Sequence, residues 1–104
     1  MEIAFKYKEE RMLFETGQAT GRLRGLQAQD IKRFIDAVNK LHFIETAYQL
    51  WHEHPAMRFK KYEDHYSVRV SGSYRLELDL IFEADSDSSP VHCLILNLSK
   101  HYGD

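Results

Sequence analysis

Only one cysteine, Cys93, occurs among the 104 residues, so no internal disulfide can form. It lies in the apolar run Val91 to Leu98, where a cysteine packs rather than reacts. With two prolines and five glycines, the chain is far from collagen-like or disordered compositions. No apolar run approaches the roughly 18 residues of a membrane span. The opening Met1-Glu2-Ile3-Ala4 also lacks the basic and apolar regions of a signal peptide. The expectation is a cytoplasmic protein with no membrane partner. Charge of one sign is not in excess either: 14 Lys and Arg against 16 Asp and Glu leave a net −2. The balance as a whole therefore does not mark a nucleic-acid binder.

What is present suffices for one core. At 43% hydrophobic and 29% charged residues, a chain of this length buries roughly two-thirds of its unfolded surface. Residues 1–104 read as a single domain. Charge is unevenly spread, since residues 1–81 hold thirteen basic and twelve acidic side chains, whereas residues 82–104 hold one and four. Residues 58–75 concentrate Arg58, Lys60, Lys61, Arg69 and Arg75 against Glu63 and Asp64, a local cationic surface on an acidic protein.

EIAFKY (2–7) alternates as a strand, and KEERMLFETG reads as a short helix with Gly17 as its stop signal. GQATGRLRG follows as a glycine-rich loop. From Gln27 to about His52, Ile31, Phe34, Ile35, Val38 and Leu41, then Ile44, Ala47, Tyr48 and Trp51, recur at three and four spacing. That pattern predicts an amphipathic helix, or two with a break near Leu41 to Phe43, ended by Pro55. The period then changes to two. Arg58 to Tyr62, HYSVRV (65–70), YRLELDLIF (74–82) and VHCLILNLS (91–99) read as strands, with ADSDSSP (84–90) as an acidic turn. The order is β-α-α-β-β-β-β. If Val68, Val70 and the leucines of 74–82 face one core, parity puts Arg69 beside Arg75 on the other face. Two adjacent arginines repel unless Glu77 and Asp79, or a phosphate, join them. On this reading Arg75→Ala leaves the fold intact and even relieves repulsion.

Six histidines are many for this length, and WHEHP sets His52 and His54 two apart at a helix end. Residues so spaced do not share a helix face. A zinc site would need His65 or His101 in addition, and neither CxxC nor HExxH accompanies them, so no metal or other cofactor is expected. RFKKYEDHY interleaves basic and aromatic residues. Such interleaving suits RNA, because cations meet phosphates and rings stack on bases. It equally suits an edge strand guarded by lysines against pairing with other chains. SKHYGD places Lys100, His101 and Tyr102 just past the final strand, where a histidine can exchange a proton near neutral pH or simply lie in a solvated tail.

Taken together, FKYKEERMLFETG, the HP of WHEHP, YSVRVSGSYRL and the closing SKHYGD resemble the RelE/ParE toxin superfamily across the whole chain. The nearest resemblance is to the HigB-like or plasmid maintenance killer branch. It implies a compact α+β microdomain with helices packed on one face of an antiparallel sheet. It also implies a toxin that cleaves messenger RNA on the ribosome by attack of a ribose 2′-oxygen on the neighbouring phosphate, without metal. Its partner would be a cognate antitoxin, helix-turn-helix and HigA-like. By position, Arg75 matches the strand arginine that holds the scissile phosphate, and His54 matches the branch's histidine before proline. Ala56 and Met57 stand where that branch has a lysine, so either Lys60 or Lys61 serves instead. The branch ends in Tyr-His, whereas this chain reads His101-Tyr102, and both are candidates. Arg58, Arg69 and Lys100 are expected RNA contacts, and the catalytic groups are expected to converge on the sheet face opposite the helices. The competing readings are a ParE-like gyrase inhibitor without catalysis and a degenerate RNA-binding domain.

Overall fold

A short strand, β1 (Glu2–Phe5), leads into helix α1 (Lys8–Thr16). Glu9 and Glu10 in the first turn of α1 complement the helix dipole. Gly17 ends it in the left-handed conformation (φ 75°), donating its N–H to the Leu13 carbonyl at 3.0 Å. The computed structural model describes residues 1–46, 48–83 and 89–100. After a 3-10 turn at Gly21–Leu23 comes α2 (Ala28–His42), which buries Phe34, Ala37, Val38 and Leu41. The expected break after Leu41 is present.

Beyond it the helical phase does not continue as expected. A π-type turn over Gln49–Glu53 carries Leu50 into the core and leaves Tyr48 and Trp51 on the surface. A π turn takes more residues per revolution than an α-helix, so the side chains rotate out of register with a 3.6 spacing. Pro55 opens a further 3-10 turn, Pro55–Met57. Four strands follow: β2 (Lys60–Lys61), β3 (Tyr66–Arg69), β4 (Tyr74–Phe82) and β5 (Pro90–Lys100).

The five strands lie in the order β1-β5-β4-β3-β2. This is an α+β domain with a mixed sheet. The expectation of an all-antiparallel sheet is corrected at β1, which runs parallel to β5, with Ile3 opposite Cys93 and Phe5 opposite Ile95. A parallel neighbour requires a long crossover rather than a hairpin, and everything from α1 to β4 supplies it. The other pairs are antiparallel. Register between β3 and β4 sets Val68 opposite Leu76 and Arg69 opposite Arg75. Between Glu77 and Leu78 the β5 partner jumps from Asn97 to Ile95, leaving Leu96 as a bulge.

Leu76, Leu78, Val68 and Ile95 are buried in one core with Phe34, Val38 and Leu41 of α2 and Leu13 of α1. Glu10 of α1 is wholly buried and joins the helices to the sheet. Past Ile95 no strand among the described residues covers the β1 side of β5, and the Leu98 N–H donates to Glu10 Oε2 at 2.9 Å. The Arg22 guanidinium donates to Glu10 Oε1, and that bond, ahead of the opposing effect of burial, raises the Arg22 pKa. Among the described residues no helix is long and apolar enough to cross a membrane.

Candidate active site on the sheet face

Strand alternation sends Arg75, Glu77 and Asp79 of β4 to the face opposite Leu76, Leu78 and Leu80. The register then fills that face row by row. Lys60 of β2 lies opposite Ser67 of β3, Ser67 opposite Glu77, and Glu77 opposite Asn97 of β5. In the adjoining row, Arg69, Arg75 and Ser99 lie side by side. In these two rows the face expected to gather the chemistry carries the α-carbons of three cations, one carboxylate and two hydroxyls, with Asp79 a second carboxylate further along β4.

Arg75 is its most enclosed member, at 4% exposure. Its side chain crosses β3 toward β2, donating from Nε to Ser67 Oγ at 2.5 Å and from Nη2 to the Arg58 carbonyl at 2.8 Å. Arg58 adopts a left-handed conformation (φ 44°), which costs a non-glycine residue about 1 kcal/mol. Arg69 turns the other way, donating from Nε to the Ser71 carbonyl at 3.3 Å. There it lines a groove of about 330 Å³ with Arg33, Asp36, Lys40 and Ser71. The two arginines are register partners whose guanidinium groups bond in opposite directions, so neither an internal carboxylate nor a phosphate is needed to separate them. These bonds give Arg75→Ala a structural cost that the expectation of relieved repulsion did not include.

The expected site residues divide. Lys60 is exposed on the face of Arg75, whereas Lys61 pairs with Tyr66 and alternates to the other side. His54 precedes the Pro55–Met57 turn with φ −126° and ψ 61°, outside the helical region, as a residue before proline must be. It is half-buried, and its ring makes no hydrogen bond with the described residues. The turn it begins leads to Arg58, whose carbonyl reaches Arg75. Lys100 lies opposite Tyr74 on the helix side of the sheet and lines a separate cleft with Arg22, Arg24 and Leu98. It is not brought together with Arg75. His101 and Tyr102 lie outside the described residues.

The sequence offered His65 only as a further zinc ligand and as a member of RFKKYEDHY, with no catalytic role. Its Nδ1 is 2.6 Å from Asp64 Oδ1, and its Nε2 is 2.7 Å from Glu77 Oε2. Glu77 Oε2 is otherwise buried with no hydrogen-bond partner of good geometry, so its contact with His65 is one of charge more than of alignment. The hydrogen bond that His65 donates to Asp64, opposed by burial and supported by the charge of Glu77, raises the His65 pKa. The same bond lowers that of Asp64. Ser99 Oγ donates to Glu77 Oε1 at 3.0 Å. The interleaved aromatics are partly committed elsewhere. Phe59 is buried between Trp51 (4.8 Å between centroids, edge-on) and Tyr66 (5.4 Å, stacked). Tyr62 stays exposed and stacks on His65 at 4.8 Å.

Cys93 is buried against the core, and burial, with a smaller contribution from Asp79, pushes its thiol up to about 12. At neutral pH it is not a nucleophile. Among the described residues no three His, Cys, Asp or Glu side chains come together as a metal site.

The arrangement can hold an anion against the exposed Lys60, with the charge of Arg75 behind it and a carboxylate and a histidine alongside, whereas Arg69 faces the separate groove beside α2. No family model matches the sequence, and no curated protein matches it.

Proposed function

We propose that this chain is a RelE-like toxin of a toxin–antitoxin pair, a cytoplasmic endoribonuclease that cleaves messenger RNA on the ribosome without a metal ion. The observation that carries the reading is the composition of one sheet face, where Lys60, Ser67, Arg69, Arg75, Glu77 and Ser99 are register neighbours. Cleavage through a 2′-oxygen needs cations for the charge developing on phosphorus and a base for the hydroxyl. Cations and a carboxylate lie within two rows. A phosphate reaches the exposed Lys60 directly, while Arg69, its guanidinium turned toward the groove beside α2, adds charge from the adjoining row. Arg75, bonded to Ser67 and Arg58, acts from behind as a fixed positive charge. A cognate antitoxin, helix-turn-helix and HigA-like, would neutralise the toxin by covering this face or its entry to the ribosome.

The depth of Arg75 favours a second reading, a gyrase-binding or RNA-binding protein of this fold that cleaves nothing. One experiment separates the two. On induction in a bacterial host, growth arrest with primer-extension stops in ribosome-bound mRNA is expected, and Lys60→Ala weakens both. Arrest with intact mRNA would point to gyrase instead.

A further inference from the structure

We propose that Glu77 is the general base of this site, accepting the ribose 2′-hydroxyl proton, and that His65 is the positioning residue that holds its carboxylate. The inference rests on the endoribonuclease reading and names the group that reading leaves open.

Glu77 is the carboxylate that follows Arg75 on the same face, two residues along β4. That spacing is about 7 Å between α-carbons along an extended strand, and Glu77 shares its row with Ser67 and the exposed Lys60, the cation that a phosphate meets. Its side chain is 23% exposed, and with Oε2 buried the ribose hydroxyl would be met by Oε1. Ser99 occupies one lone pair of Oε1, and the other remains to accept a proton. An exposed glutamate on a sheet would turn freely. This one is gripped at both oxygens, by Ser99 from β5 and by His65 from the turn before β3. Catalysis by a base depends on such fixed placement within reach of the proton it takes.

His65 has both ring nitrogens engaged, by Asp64 and by Glu77, so it does not itself reach substrate. The charged and titratable groups around it are Asp64 in its own turn, Glu77 and then Asp79 along β4, Lys60 on β2, and the stacked Tyr62 ring. The two contacting carboxylates keep it protonated to higher pH than a free histidine. While protonated it attracts Glu77, and when neutral it releases that hold.

In the step, the 2′-hydroxyl proton passes to Glu77 and the 2′-oxygen bonds to phosphorus. The bond from phosphorus to the 5′-oxygen breaks, and that oxygen takes a proton from solvent water. The products are a 2′,3′-cyclic phosphate and a 5′-hydroxyl end, after which Glu77 returns its proton to solvent.

The test is cleavage of mRNA on programmed ribosomes by the purified full-length chain across pH, alongside thermal melts. Glu77→Gln is expected to fold and to lose at least a hundredfold in rate, the lower range for general-base removal. His65→Gln is expected to cleave more slowly and to lose the fall in rate that the wild type shows as His65 deprotonates at alkaline pH. Wild-type rates from a folded Glu77→Gln would overturn the base assignment alone. A His65→Gln profile with the wild-type alkaline limb would overturn the positioning role. If Glu77→Gln does not fold, Glu77→Asp decides. The shortened carboxylate should cost tenfold or more, and an undiminished rate overturns the proposal. No cleavage by the wild type under any condition would bring down the endoribonuclease reading and the base with it.

Discussion

The Arg75 guanidinium donates to the backbone carbonyl of Arg58 at 2.8 Å, joining a central strand to the turn that precedes the edge of the sheet. Seventeen residues separate the two in sequence. The bond makes Arg75 a part of the fold as well as of the charge on the sheet face.

Arg75→Ala is accordingly expected to destabilise the protein. Truncation leaves the Arg58 carbonyl without this donor and the Ser67 hydroxyl unpaired in a buried setting, at about 1–3 kcal/mol. Denaturant unfolding of both proteins checks it. An unchanged or raised midpoint would show that these bonds contribute nothing and that Arg69 and Arg75 repel after all.

Glu10→Ala should cost more. It removes the acceptor of the Leu98 N–H and strands Arg22 beside a cavity, and breaking a buried pair typically costs about 3–5 kcal/mol. Arg22, with its side chain 41% exposed, regains water when the pair is broken, which places the expected loss at the lower end. Hydrogen exchange gives the local signature. The Leu98 amide should lose protection in Glu10→Ala before its neighbours in β5 do, and equal protection in both proteins would refute the capping role.

His65 gives the stability a pH dependence of known sign. Its pKa is raised above the ordinary 6.5 by the bond to Asp64 first and the charge of Glu77 next. The folded state therefore binds the proton more tightly than the unfolded state. The stabilisation is fully present below about 6.5 and is lost as pH rises through the folded value. The stability difference between wild type and His65→Gln, measured in urea from pH 6 to pH 9, should shrink with rising pH. A difference that grows over that range would reverse the sign and remove the ion pair from the account.

Lys60 and Lys61 are adjacent but should not be equivalent. Register puts Lys60 beside Ser67 on the face of Arg75. If that face binds RNA, Lys60→Ala lowers the salt dependence of binding by about one unit of slope, whereas Lys61→Ala leaves it nearly unchanged. Titration of a short single-stranded RNA at several salt concentrations distinguishes them.

Much of the sheet face could be read from parity alone. Tyr66 to Arg69 and Tyr74 to Phe82 alternate cleanly, and a three-residue connection fixes Arg69 opposite Arg75. Other features depended on contacts that no period encodes. The bulge at Leu96 shifts β5 by one residue, so counting along 91–99 could not place Ser99 beside Glu77. The direction of β1 was equally hidden, because a parallel partner ninety residues away leaves no local signal. Tyr48 and Trp51 matched an α-helical stripe, and a π turn put them outside. Arg75 was assigned to the correct face, but its burial depends on Ser67 and on the left-handed Arg58, neither of which a charge pattern reveals.

The pairing of β1 with β5 also governs when the protein can fold. Ile3 and Phe5 are synthesised some ninety residues before their strand partners, Cys93 and Ile95. Contacts between such distant segments slow folding, because a long loop must close before they form. During translation the first strand has nothing to lie beside until β5 has emerged, and Glu10 has no Leu98 amide to receive. A chain interrupted before Pro90 thus lacks a completed sheet, and partial products leave Ile3 and Phe5 exposed to aggregation or proteolysis.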